Sequence, residues 1–176
     1  MSATRPLPQA PQIRLATEAD VGKLHAMIIA LAKATGLREK VTSKPEDFHR
    51  FGSRGQPAFQ ALIAELDGEP VGMSLFFYSF SSWRGELGVY VQDLYVAGKV
   101  RGTGLGRRLV AETARLARKR GATYLRLSVG KTNTAAQAFY RSIGLSLSDD
   151  ECIYQAIGPA FEQLTRKNDG TETGKK

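Results

Sequence analysis

The stretch Val91-Gln-Asp-Leu-Tyr-Val-Ala-Gly-Lys-Val-Arg-Gly-Thr-Gly-Leu-Gly106 constrains this chain more than any other. A run of strand-forming residues enters a glycine-rich turn, and the turn opens a basic helix. Gly102, Gly104 and Gly106 lack a Cβ, so the backbone can fold tightly and offer several N–H groups to one anion. The positive end of the helix dipole adds to that attraction. Arg101, Arg107 and Arg108 add mobile charge. The pattern reads as a pyrophosphate cradle. It lacks the lysine and Ser/Thr of a P-loop at the required places. It also lacks a third glycine at dinucleotide-fold spacing, and a Rossmann site would normally start its chain. Alone, the turn is also compatible with a plain tight link between a strand and a helix.

What surrounds the turn limits the fold. Ile13–Leu15 is a short predicted strand. Thr17-Glu-Ala-Asp20 then offers a helix start, with Asp20 reaching back to Thr17. Val21, Leu24, Met27, Ile28 and Leu31 recur at helical spacing towards Gly36, and His25 sits beside that stripe as an ordinary surface or boundary residue. Residues 44–51 predict a second short helix, closed by the turn-forming Ser53-Arg-Gly-Gln-Pro57. Ala58–Leu66 and Pro70–Phe80 are apolar and strand-like, and Asp67-Gly68 between them is a strong hairpin signal. Leu87–Val96 follows after the loop Ser81-Ser-Trp-Arg-Gly85, which completes an antiparallel meander.

Beyond Val100 the period becomes helical through Leu105, Leu109, Val110, Leu116 and Ala117, with Gly121 as the stop. Tyr124–Val129 alternates as a strand. Asn133 caps a helix that carries Ala136, Phe139 and Tyr140 and ends at Gly144. Leu145–Leu147 and Ile153–Ile157 are the last predicted strands, and Pro159–Thr165 a terminal helix turn. The order β-α-α-β-β-β-α-β-α-β implies an α+β (α/β sandwich) fold, with a mixed, mostly antiparallel sheet and helices on both faces.

Composition agrees with one soluble domain. The chain has 176 residues, 42% hydrophobic and 24% charged. No apolar run approaches the ~20 residues that span a bilayer. The reading is a flexible lead-in over 1–12, a single domain over 13–166 and a polar tail over 167–176. The lead-in has no apolar core of a signal peptide. The lone Cys152 cannot form an internal disulfide, which suits a reducing cytoplasm, and it reads as a buried thiol. A net charge of +8 admits nucleic acid, an acidic membrane or a phosphorylated small molecule. The arginines cluster on one helix beside the glycine turn, which favours the last. No metal-binding pattern is present, and neither nucleic acid nor membrane is an expected partner.

Two motifs in order carry a family resemblance. Arg101-Gly-Thr-Gly-Leu-Gly106 matches Arg/Gln-x-x-Gly-x-Gly/Ala of the GNAT superfamily of N-acetyltransferases. Asn133-Thr-Ala-Ala-Gln-Ala-Phe-Tyr-Arg-Ser-Ile-Gly-Leu145 resembles that family's second motif, Asn-x-x-Ala-x-x-Phe-Tyr-x-x-x-Gly-Phe/Leu. The likeness spans about Ile13 to Ile157. Phe76–Val96 and Ser146–Cys152 also look like the branch that acetylates diamines (spermidine/spermine) and thialysine.

The resemblance implies the GNAT fold, acetyl-CoA as co-substrate, a small-molecule primary amine as acceptor, and a homodimer. It implies that backbone N–H groups of Gly102, Thr103, Gly104, Leu105, Gly106 and Arg107 hold the pyrophosphate, with Arg101 beside them. Leu94, Tyr95 and Val96 would meet the pantetheine arm along a strand edge, and an N–H near Leu94 or Tyr95 would polarise the thioester carbonyl. Asn133 would touch the pantetheine region, or serve only as a helix cap. Tyr140 matches the tyrosine that protonates the departing thiolate, a task a phenol can do at neutral pH. In the diamine branch a glutamate base occupies the place of Gln92. Glutamine cannot accept a proton. Asp93 could compensate only if a bulge turned it to the same face, since strand alternation otherwise opposes the two. Trp83 reads either as lining the acceptor entrance or as packing under its own loop. The alternative functions are a protein N-terminal or lysine acetyltransferase and a non-catalytic acyl-CoA-binding module.

Overall fold

Asp67 and Gly68 take φ of 53° and 80°. Positive φ at both central positions is the two-residue turn whose twist matches paired strands. It joins β2 (Gln60–Leu66) to β3 (Glu69–Ser81), and Leu66 faces Glu69 across it. β1 (Gln12–Leu15) pairs antiparallel with β2, and β4 (Glu86–Val96) antiparallel with β3. β5 (Ala122–Leu127) joins β4 in parallel. The five strands thus lie in the order β1-β2-β3-β4-β5. The computed structural model describes residues 10–52, 57–148 and 152–165.

Period-two alternation sends side chains to two cores. Leu62, Ala64, Val71, Phe76, Val89 and Val91 pack with Leu105, Leu109 and Ala117 of α3 (Leu105–Lys119). Ala61, Ile63, Met73 and Leu75 pack on the opposite face with Val21, Leu24 and Met27 of α1 (Val21–Ala34) and Phe48 of α2 (Pro45–Gly52). The mixed sheet and the helices on both faces are therefore as expected.

Two polar devices fix the layers. On the α3 face, buried Ser74 and Thr113 hydroxyls lie 2.9 Å apart, and Thr113 donates to the Leu109 carbonyl at 2.9 Å. On the α1 face, the buried Asp20 carboxylate accepts from both terminal nitrogens of Arg14, at 2.7 and 2.8 Å, and from the Thr17 N–H at 2.8 Å. The reach of Asp20 back to Thr17 is the expected capping contact. It closes a short 3-10 turn, Glu18–Asp20, and α1 begins at Val21.

The chain divides into two compact units, Met1–Phe139 and Tyr140–Lys176. The sheet, α1 to α3 and most of α4 (Thr134–Ser142) belong to the first. The second holds the end of α4 and α5 (Pro159–Thr165).

Several expectations are corrected. β5 begins at Ala122, two residues early, because the chain leaves α3 through Gly121 at φ 88° and extends at once. It ends at Leu127 rather than Val129. Leu145–Leu147 and Ile153–Ile157 are not strands. Their alternation says which face a strand would bury, but a strand also needs a partner edge, and the Tyr140–Lys176 unit has no strand among its described residues. Cys152 is exposed, not buried. Trp83, in the β3–β4 turn, is 99% exposed, so it does not pack under its loop. The residues 53–56 of the predicted turn, the lead-in before residue 10 and the tail after 165 lie outside the described residues.

Candidate active site

β4 is the element around which the site is built. From Glu86 to Val91 it faces Ser81 back to Phe76, and from Asp93 to Val96 it faces Leu75 back to Gly72. Gln92 is left over as the extra residue of a β-bulge. The bulge reverses the side-chain parity. Val91 lies in the α3-side core, and Leu94 and Val96 pack against that same core. The two residues between Val91 and Leu94 therefore both turn to the α1 face. Gln92 is exposed and Asp93 half-buried. Burial holds the Asp93 carboxyl above its ordinary pKa.

The same point ends the parallel pairing. Val91 opposite Leu127 is the last β4–β5 pair. Beyond it, among the described residues, β4 has a strand partner on its β3 side only. The Ala97 N–H donates to the Val71 carbonyl of β3 at 2.9 Å. Antiparallel alternation then points the N–H groups of Tyr95 and Asp93 towards β3, and those of Leu94 and Val96 away from it. The open edge thus offers Leu94 and Val96, and of the two donors considered for a thioester carbonyl, Leu94 has the suitable direction.

The open edge runs directly into the glycine turn. Gly102 and Gly104 take φ of 78° and 82°, and Gly104 is the residue before α3. No side chain caps the helix, and the first intrahelical bond of its backbone is from Arg108 N–H to the Gly104 carbonyl at 3.1 Å. The N–H groups of Leu105, Gly106 and Arg107 are left as the orphan donors of a helix start. Leu105 has a buried side chain and can contribute only its backbone.

Small residues permit this approach. A Cβ at Gly72 would lie 3.0 Å from the Tyr95 carbonyl and 3.1 Å from Leu109 Cδ1, so glycine lets α3 settle onto β3 and β4. A Cβ at Gly106 would lie 3.1 Å from Phe139 Cζ and 3.7 Å from Val96 Cγ2. Phe139, the aromatic of the second motif, therefore rests against the glycine turn of the first. Tyr140 follows it on α4, turned about 100° further round the helix.

Not every cation is available to an anion. Arg108 donates to the Pro11 carbonyl at 2.8 Å, which ties α3 to the start of β1 and removes it from the mobile charge expected of it. Arg101 Nε donates to the Val96 carbonyl at 3.1 Å and so braces the end of β4. Thr103 Oγ1 donates to the Val100 carbonyl at 2.8 Å and tightens the turn. Asn133 Oδ1 accepts from the Ala136 N–H at 3.1 Å, so this residue is a true cap of α4.

The structure thus gathers Gln92, Asp93, Leu94–Val96 and Arg101–Arg107 along one line. Trp83 stands apart from them: Glu86 to Gln92 is six residues of strand, roughly 20 Å at strand rise. The bulge and the redirection of Arg108 were the features beyond sequence reading. A bulge depends on the register of β3, and Arg108 on a carbonyl 97 residues away. Among the described residues, no group of three or more His, Cys, Asp or Glu could hold a metal ion, and no helix is long and apolar enough to cross a membrane.

Comparison with known proteins is consistent with this geometry. The model of the acetyltransferase (GNAT) family matches residues 24–145. Thialysine N-epsilon-acetyltransferase of Bos taurus is 33% identical over 88% of this chain and 97% of its own length. An aminoglycoside acetyltransferase from an uncultured soil metagenomic sample, solved with sisomicin, superposes with TM-score 0.72 at 18% identity, over 84% of this chain and 97% of that one. An aminoglycoside N-acetyltransferase solved with CoA gives TM-score 0.64 at 16% identity, over 82% and 98%. At such identities the solved structures speak for the fold alone. The family match and the thialysine relative go further, and with them the chain belongs to the GNAT family of acetyltransferases.

Proposed function

We propose that this acetyltransferase moves the acetyl group of acetyl-CoA to a primary amine of a small molecule, a diamine or an amino-acid-like acceptor, by direct attack in a ternary complex. One observation carries the reading. β4 loses its β5 partner after Val91, and the strand edge freed there leads on towards the uncapped, glycine-lined start of α3. That juxtaposition supplies a row of outward strand amides for the amide-bearing pantetheine arm and an anion site for the pyrophosphate, in one continuous path.

The residues divide the work. Backbone N–H groups from Gly102 to Arg107 hold the pyrophosphate, helped by the positive end of α3. Arg107 is exposed at the turn and adds charge, while Arg101 holds the turn to β4. Val96 and Leu94 pair with the arm. The Leu94 N–H faces the thioester carbonyl and stabilises the charge that develops on its oxygen. Tyr95 lines the acceptor side, since its side chain packs with the α1-face core. Asn133 keeps Oδ1 on the helix cap and can offer only its amide nitrogen to the arm. Tyr140 protonates the departing thiolate. Gln92 and Asp93 line the acceptor side of the opening.

The small-amine acceptor is supported by the thialysine relative, which its name says acts on such an amine. A cytoplasmic homodimer, with residues 13–166 as one catalytic domain, completes the proposal. Sedimentation of the purified protein tests the dimer.

The deciding experiment mixes purified protein with acetyl-CoA and follows thiol release over diamines, polyamines, lysine analogues, aminoglycosides and short peptides. Release with one small-amine class supports the proposal. Release with peptides alone replaces the small acceptor by a protein. Binding of CoA with no release from any amine makes the chain a non-catalytic acyl-CoA binder.

A further inference from the structure

An alkylamine with a pKa of about 10 reaches a neutral site as an ammonium, which has no lone pair to attack a thioester. Some group must take its proton. Gln92 has no capacity to do so. The bulge that leaves Gln92 unpaired also brings Asp93 to the same face, beside the point where β4 opens. We propose that Asp93 is the proton acceptor for the incoming amine, placed there by the one-residue bulge. The inference rests on the acetyl-transfer reading above.

The surroundings of Asp93 set it apart from Glu65 and Asp20, since Glu65 is paired with Arg14 and Lys23. Asp20 is locked to Arg14. The Asp93 carboxylate has no hydrogen bond or ion pair among the described residues, and burial is the sole cause of its shift. Its partner across the strands is Leu75, next to Met73, both apolar. On β4 the titratable groups on its face are Tyr95 and Tyr90, and the Tyr90 hydroxyl donates to Ser128 Oγ at 2.7 Å. On α1, Lys23 is held by Glu65 at 2.8 Å and His25 by the Ser43 carbonyl at 2.7 Å, while Lys33 is exposed in the last turn. On α2, His49 pairs with Glu18 and Arg50 lies over Phe51. Glu46 and Asp47 occupy its first turn. β5 stops before the bulge, with Arg126 opposite Tyr90. The charged groups of α3 lie on the other face of the sheet. A half-buried carboxylate left without a cation is suited to receive one from outside.

The step balances simply. An Asp93 oxygen takes one proton from the ammonium. The freed nitrogen pair forms the N–C bond to the acetyl carbon as the C–S bond breaks. The thiolate sulfur receives a proton from Tyr140, and the surplus proton on the product nitrogen leaves to water.

The test compares amines of graded basicity, from pKa about 10 down to below 7, in the intact protein and in Asp93→Asn. For the unaltered protein, kcat/KM with the basic amines should exceed what the free-amine fraction alone explains. Asp93→Asn should lose on the order of 100-fold with those amines, lose little with the weakly basic ones, and follow the free-amine fraction up to about pH 10. Acetyl-CoA binding should persist, and Gln92→Glu added to Asp93→Asn should return much of the loss. An equal loss across all amines with an unchanged pH profile would make Asp93 merely structural. If the unaltered protein itself tracks only the free-amine fraction, no base operates and the proposal falls without any variant. If it releases no thiol with any amine, basic or weak, the acetyl-transfer reading fails and takes Asp93's role with it.

Discussion

Gly104 and Tyr140 illustrate how single residues separate binding from chemistry. Gly104 sits at φ 82°, one residue ahead of α3. An alanine there carries about 1–2 kcal/mol of left-handed strain, and relief of that strain would rotate the N–H groups that hold the anion. Gly104→Ala should raise the Kd for acetyl-CoA roughly 10-fold and leave kcat at saturation near its original value, as calorimetry and steady-state rates would show. Tyr140→Phe should do the reverse. The loss of one phenolic proton should lower kcat by on the order of 100-fold or more, with acetyl-CoA binding unchanged. A mutant that binds acetyl-CoA and keeps its kcat would remove Tyr140 from the mechanism.

Elements are locked to one another by a few polar contacts, and these predict stability more than activity. Ser74 and Thr113 join β3 to α3 in a buried pair. Thr113→Val leaves the Ser74 hydroxyl without its acceptor and should cost about 1–3 kcal/mol in urea unfolding. The double variant with Ser74→Ala should recover part of that cost, because both polar partners are then gone. On the other face, Arg14 and Lys23 bridge β1 and α1 to Asp20 and Glu65. Hydrogen bonds from Arg14 hold the Asp20 carboxyl well below the usual carboxylate range. Lys23, and then Arg14, lower Glu65 as well. A depressed native pKa contributes stability that is complete above the unfolded value of about 4 and fades as pH falls through the native value. The unfolding free energy should therefore decline below about pH 4. Asp20→Asn should be less stable at neutral pH by about 2 kcal/mol and show a shallower decline in acid. An unchanged acid slope in that variant would show that the ion-pair group does not control acid stability.

At the scale of the molecule, acetyl-CoA should bind the folded chain and not the unfolded one. At 100 times its Kd it should then raise Tm by roughly 5–10 °C for a chain of this size. Gly104→Ala should show a smaller rise at the same concentration, and a rise equal to the parent's would place the ligand elsewhere.

Local chemistry determined much of this protein from sequence alone. The Asp67-Gly68 turn, the meander, the helical stripes and the glycine-rich start of α3 depend on residues within a few positions of one another. Tertiary structure decided what depends on partners far along the chain. The bulge at Gln92 arises from the register of β3, and it turned Asp93 to the face that alternation denied it. Arg108 reads as a phosphate ligand until the Pro11 carbonyl claims it. Leu145–Leu147 and Ile153–Ile157 have the alternation of strands and are not strands, because alternation carries no information about a free edge. Periodicity and turn chemistry are local and legible in a sequence, whereas register, pairing and the fate of a long side chain are settled only when distant segments meet.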